Sequence, residues 1–371
     1  MSKTVKNKRT KIAEKSVADK LVNNKKTAII LFNLGGPDKP SSVKKFLFNL
    51  FNDKHIIPLP AIFRYVLAWF ISFRREDAAK KNYAHMGGKS PIYEETKKQA
   101  DALREELSGK IDSEFEIFIS MRHWHPMSDE VAARLRDYMP DEVILLPLYP
   151  QFSMTTSYSA IEDFKNSMHR NFSKSAMSKI VLKTVCCYPD EEYFIKSHAE
   201  LITESIGKIK NKDNYRILFS AHGLPVKNIK SGDPYQWQIE NTVKSITNLL
   251  SIKNLDYKIT YQSKVGRLEW LTPSTEDEIK LAAEQGKEMI IVPVAFVSEH
   301  IETLVELDIE YKEIANQYGV NYIRVPALGI NKSFVKSLSR TILKFSKKEG
   351  EFLSSASMSR ICPKNCNKCP C

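Results

Sequence analysis

Apolar residues gather into eight short runs along the chain: Thr27 to Leu34, Glu114 to Met121, Glu142 to Leu148, Ile180 to Val185, Tyr215 to Ser220, Asp256 to Gln262, Glu288 to Val294 and Asn321 to Ala327. Helical spacing of apolar positions fills most of the intervals, and this βαβ rhythm predicts parallel sheets. The unbroken run from Met289 to Phe296, rich in β-branched residues, reads as a strand buried on both faces. The two sets of four runs echo one another. Val143-Ile144-Leu145-Leu146-Pro147-Leu148 parallels Ile290-Ile291-Val292-Pro293-Val294, and Ile30-Leu31-Phe32 before Gly35 parallels Ile217-Leu218-Phe219 before Gly223. The expectation is an α/β protein of two similar halves, each a four-stranded parallel sheet flanked by helices, with a cleft between them. Residues 27–190 and 191–330 form the halves; 1–26 is a basic tail, and 331–371 a helix with a cysteine-rich end.

Past the seventh run, Glu302, Glu306 and Glu310 recur every four residues and line one face of any helix formed there. Like charges at that spacing cost on the order of 0.2–0.5 kcal/mol per pair, so the stripe is a poor choice for stability alone. A file of carboxylates can pass protons or a hard divalent cation, and burial beside Ile301, Leu304, Val305, Leu307 and Ile309 would raise carboxyl pKa values. The competing reading is a solvated acidic face. Position decides between them, because Ser298, Glu299 and His300 fall just past a strand's carboxyl end, where α/β sheets bind ligands. His222, in Ser220-Ala221-His222-Gly223-Leu224-Pro225, follows another strand on a tight turn. Two strand ends offering His and Glu together point to a proton-transfer or metal centre.

These segments resemble ferrochelatase, which inserts ferrous iron into a porphyrin in the last step of haem synthesis. Further motifs follow in that family's order: Leu31-Phe32-Asn33-Leu34-Gly35-Gly36-Pro37, Gly87-Gly88-Lys89-Ser90-Pro91, Met121-Arg122-His123-Trp124-His125-Pro126, Gly232-Asp233-Pro234-Tyr235, and Gln262-Ser263-Lys264-Val265-Gly266 with Trp270-Leu271-Thr272-Pro273. The likeness runs from about residue 27 to 345 and implies Rossmann-like halves, a lyase activity, and protoporphyrin IX and Fe²⁺ as substrates. It also implies that His222 removes pyrrole protons or binds Fe²⁺, that Glu302 is the second iron-binding group, and that Glu306 and Glu310 continue the route outward. His300, pointing off that face, is given a supporting role. Arg75, Tyr83 and Arg122 take porphyrin-contacting positions, a guanidinium being suited to gripping a propionate; Leu34, Trp270 and Thr156 are further pocket residues. The glycines serve turns, since no G-x-G-x-x-G or P-loop spacing is present.

Composition adds constraints. With 42% hydrophobic and 27% charged residues the 371-residue chain reads as globular. The longest apolar stretch, Leu59 to Phe73, is too short to span a bilayer and contains Arg64, but its Phe63, Trp69, Phe70 and Phe73 suit an apolar lip over the porphyrin or contact with a membrane surface. A net charge of +12 favours an anionic partner such as lipid head groups. Residues 1–26 hold nine Lys/Arg against two acids without an apolar h-region, which predicts a solvated tail and a cytoplasmic protein in peripheral contact with the inner membrane. Nucleic acid is not expected, because the basic residues are spread out.

Cys362, Cys366, Cys369 and Cys371 crowd the last ten residues. Without a secretion signal, that spacing argues for a metal or cluster site over disulfides. Ferrochelatase resemblance implies a [2Fe–2S] cluster, held by these four or by a set drawing on Cys186 or Cys187; Cys₄ zinc is the competing reading. A porphyrin carrier would share the pocket but would need no carboxylate file.

Overall fold

The computed structural model describes residues 25–371, so nearly all of the predicted basic tail lies outside the described residues. Strands β1 (Lys26–Asn33), β2 (Glu114–Met121), β3 (Glu142–Pro147) and β4 (Val181–Val185) belong to one sheet, and β5 (Tyr215–His222), β6 (Tyr257–Gln262), β7 (Glu288–Pro293) and β8 (Tyr322–Arg324) form a second. Every pairing is parallel. The first sheet gains a fifth strand, β9 (Phe352–Ser354), giving the order β2-β1-β3-β4-β9; the second has the order β6-β5-β7-β8. Two similar α/β halves are therefore present, but the carboxyl-terminal segment completes the first instead of trailing from the second.

Alternation along each strand distributes its side chains between layers. Ala28, Ile30 and Phe32 of β1 face a cluster beneath the helices Ser128–Tyr138 and Ser159–Asn171. Ile29 and Leu31 face the opposite way, into a cluster shared with Ile217 and Phe219 of β5 and Ile290 and Val292 of β7. That shared core, with Phe334, Leu338 and Ile342 of the Lys332–Ser346 helix in it, joins the halves. Leu218, Met289 and Ile291 point to a third cluster under Thr275–Glu284 and Tyr311–Gln317.

The strand at 321–327 is shorter than its apolar pattern predicts. It pairs on one side only, and Pro326, lacking an N–H, cannot extend the ladder. The glutamate segment forms a nine-residue π-helix, Glu302–Glu310, continuing directly into an α-helix at Tyr311. Its wider turn still keeps Glu302, Glu306 and Glu310 on one side.

Candidate functional site

Carboxyl ends of strands from both sheets converge on the cleft. Asn33, closing β1, donates from Nδ2 to Thr96 Oγ1 at 3.0 Å and to Ser298 Oγ at 3.3 Å. Gln99 Nε2 donates to Val297 O at 2.7 Å. These bonds fix the loop after β7 against the first half.

His222 closes β5 beside Gln262 at the end of β6. Its backbone carbonyl accepts from Tyr235 Oη at 3.1 Å, and Gly223 beyond it packs so closely that a Cβ would lie 2.9 Å from Gln262 O and 3.2 Å from the Trp270 ring. Glycine is required there for close approach. His222 Nδ1 lies 3.0 Å from Glu302 Oε2. Burial would deprotonate His222, but the charge and hydrogen bond of Glu302 outweigh it and raise the imidazole pKa. Burial would equally protonate Glu302; His222 and His300 outweigh that and hold the carboxyl far below its usual range. Protons on these two groups belong to the pair.

The other predicted residues divide. Glu306 accepts from Gln262 Nε2 at 2.9 Å, Ser263 N at 2.8 Å, Ser263 Oγ and Tyr311 Oη at 2.9 Å, so the middle glutamate is an anchored carboxylate instead of the open relay expected. Glu310 lies exposed at the outer end, its pKa raised by partial burial and by the charge of Glu306. His300 does not point away: its Nε2 is 3.7 Å from Glu302 Oε2 and its Nδ1 is 3.0 Å from Ser298 O. A wide π turn after a tight loop brings it back.

Arg122 is already occupied. Nη2 lies 3.0 Å from Asp53 Oδ2, Nη1 3.6 Å from Asp163 Oδ2, and Nε donates to Ser159 Oγ at 2.7 Å. Tyr83 is buried with Val43, Phe46, Leu47 and Trp124, close enough to Glu302 for that charge to add to burial in raising its pKa. Arg75 is exposed, over the Phe51 ring at 6.0 Å. Leu34 and Thr156 are half-buried near the strand ends, and Trp270 Nε1 donates to Val265 O at 3.0 Å. Along the helix Ala61–Ala84, Ile62, Phe63, Tyr65, Val66, Trp69, Phe70 and Phe73 are 53–78% exposed, so these aromatics do not pack in the core.

Sequence reasoning missed Tyr149, whose hydroxyl pKa burial raises and which feels Arg122, Asp53 and Glu302 together. It also missed Gln262, which donates to Glu302 O at 3.1 Å as well as to Glu306. Gln262 lay within a quoted motif, but nothing in its residue type signalled a role.

Away from the cleft the tail wraps around Arg360, whose guanidinium donates to the carbonyls of Cys362, Pro363, Cys366 and Cys371. Asn367 docks so tightly on Gly232 that a Cβ there would meet its Oδ1 at 2.0 Å. Cys362, Cys366 and Cys369 are buried in one cluster with Cys371 packed against it, and Cys371 Sγ is 2.6 Å from Cys186 Sγ. Gln238 Nε2 donates to Cys362 Sγ at 3.1 Å. Among the described residues no group of three or more His, Cys, Asp or Glu side chains is spaced to hold a metal ion as it stands.

The fold is that of an α/β protein of two halves, with a histidine–glutamate pair at the strand ends between them. Its family follows from comparison with known proteins: the ferrochelatase family profile matches residues 26–345, and the chain belongs to that family. It is 54% identical over 352 residues to ferrochelatase from Rickettsia bellii (strain OSU 85-389), covering 94% of this chain and 96% of that one. With ferrochelatase from Pelagibacter ubique (strain HTCC1062) identity is 50% over 349 residues, 93% and 98% of the respective chains. A solved structure, SirB from Bacillus subtilis with Fe³⁺, aligns with a TM-score of 0.49 and 12% identity over 87% of this chain and 96% of that one. The protein is a lyase that inserts Fe²⁺ into protoporphyrin in haem synthesis.

Proposed function

We propose that His222 and Glu302 form the chemical centre of iron insertion. The observation that carries this is the 3.0 Å contact between His222 Nδ1 and Glu302 Oε2 at the carboxyl end of β5. With Glu302 ionised, Nδ1 keeps its proton and donates to the carboxylate, which leaves Nε2 free toward the cleft. Nε2 then takes a pyrrole proton, and Glu302 stabilises the imidazolium that results. Once His222 is neutral again, the pair offers imidazole and carboxylate to the incoming Fe²⁺ substrate. Glu306 orients the π-helix, and Glu310, with its raised pKa, exchanges protons with solvent. Mixing the purified protein anaerobically with protoporphyrin and Fe²⁺ should produce haem absorbance; a protein that binds porphyrin without turnover would be a carrier.

The porphyrin enters beneath the exposed aromatic helix, which rests on an anionic membrane surface of the cytoplasmic compartment. Support comes from the apolar stripe around Trp69 and Phe70 and from the net charge of +12. No helix among the described residues is long and apolar enough to cross a membrane. Binding to anionic vesicles should weaken with salt and when Trp69 and Phe70 become Ser.

The tail holds a [2Fe–2S] cluster. Its donors are all sulfur and, apart from the half-buried Cys371, buried, which suits thiolate ligation, although the 2.6 Å between Cys186 and Cys371 must widen. Cys362, Cys366, Cys369 and Cys371 cluster together, and Cys186, against Cys371 and Cys187, is a further donor within reach. When bound, the cluster would secure the segment. Anaerobically purified protein should be reddish-brown, with about two irons and two sulfides per chain; Cys366→Ser should bleach it, whereas one zinc per colourless chain would exclude the cluster.

A further inference from the structure

A π-helix is usually a single-turn bulge, so nine residues of it require support from outside. The cleft side is held through Glu306. The opposite side is held by β8, where Tyr322 and Arg324, two residues apart, present side chains to the same face. Tyr322 Oη donates to Leu307 O at 2.7 Å. Arg324 grips Asp308 with both arms, Nε to Oδ1 at 2.7 Å and Nη2 to Oδ2 at 2.5 Å, while Nη1 donates to Glu299 Oε1 at 2.5 Å. A single guanidinium, only 12% exposed, thus joins the loop ahead of Glu302 to the last turn of the π-helix. Fork-to-carboxylate pairing fixes orientation as well as distance.

We propose that Arg324, assisted by Tyr322, is a positioning residue for iron insertion: it fixes the π-helix on β8 and so keeps Glu302 against His222. The proposal rests on the role given above to His222 and Glu302. It touches neither substrate, and its effect is transmitted through Asp308, Glu299 and the backbone between them.

Arg324→Gln, Arg324→Ala and Tyr322→Phe test it, through turnover per folded molecule, KM for porphyrin and amide hydrogen exchange across residues 302–310. In Arg324→Gln, kcat should fall about 10- to 100-fold, as expected for a misplaced catalytic group. KM for porphyrin should stay within about twofold, and exchange at 302–310 should quicken while β1 and β5 stay protected. Tyr322→Phe, which removes no charge, should shift both readouts the same way by less, and it decides the matter if the arginine variants do not fold. A cavity of about 220 Å³ lined by Asp308, Lys312, Tyr322, Arg324 and Pro326 adjoins the clamp, so millimolar guanidinium should restore part of the turnover of Arg324→Ala. Unchanged exchange with turnover within twofold would overturn the proposal. Full activity of His222→Ala would instead refute the role of the pair, while the exchange data would still judge the clamp.

Discussion

The two walls of the cleft each carry a charge cluster, and the clusters are built in opposite ways. On the first wall all three guanidinium nitrogens of Arg122 have protein partners. Burial would raise the Asp53 pKa, but the charge of Arg122 and the hydrogen bond from Ser159 outweigh that and lower it. His123 stays neutral, held down to about 3 by burial and the neighbouring Arg122. On the second wall His222 spends one ring nitrogen on Glu302 and leaves the other toward a cleft in which the side chain is 38% exposed. A closed network stabilises; an open one has a valence left for chemistry.

Substitutions should separate the walls. His222→Ala should lower turnover by about 10²–10⁴-fold while porphyrin fluorescence still reports binding; turnover within a few-fold of wild type would make both walls structural. Asp53→Asn should cost about 3 kcal/mol in denaturant melts by leaving Arg122 uncompensated, with far less loss of turnover per folded molecule. Glu306→Gln replaces an acceptor oxygen with an N–H donor that faces the donors of Gln262, Ser263 and Tyr311, and should destabilise by about 1 kcal/mol with a modest loss of rate. Glu310→Gln, exposed, should change stability little.

The open pair should also show in pH dependence. His222's contribution to stability is fully present below its ordinary 6.5 and fades as pH rises through its raised folded value; that of Glu302 is fully present above its ordinary 4.5 and fades as pH falls. The stability gap between wild type and Glu302→Gln should therefore be widest between pH 4.5 and 6.5 and narrow on both sides. A gap independent of pH would mean that the pair is not coupled.

The sequence made eight strands and the His222 and Glu302 pair legible because buried parallel strands write unbroken apolar runs, and because chemistry in such folds gathers where those runs end. Phe352–Ser354 was illegible: three residues carry no period. The π-helix was equally hidden, since Glu302, Glu306 and Glu310 share a side in either helix and only the Arg324 clamp and the Glu306 anchor distinguish them. The partners of Arg122 were illegible because a residue type suited to gripping a substrate carboxylate is equally suited to gripping Asp53. Partner choice of that kind lies in three dimensions and not in local pattern.

The central claim, that His222 and Glu302 act as one unit, is tested most directly by a double-mutant comparison of anaerobic iron-insertion rates. His222→Ala and Glu302→Gln should each remove most of the turnover, and the combined variant should be no slower than the worse single variant, because removing either partner already disables the pair. Losses that multiply in the double variant would show two independent groups and contradict the account.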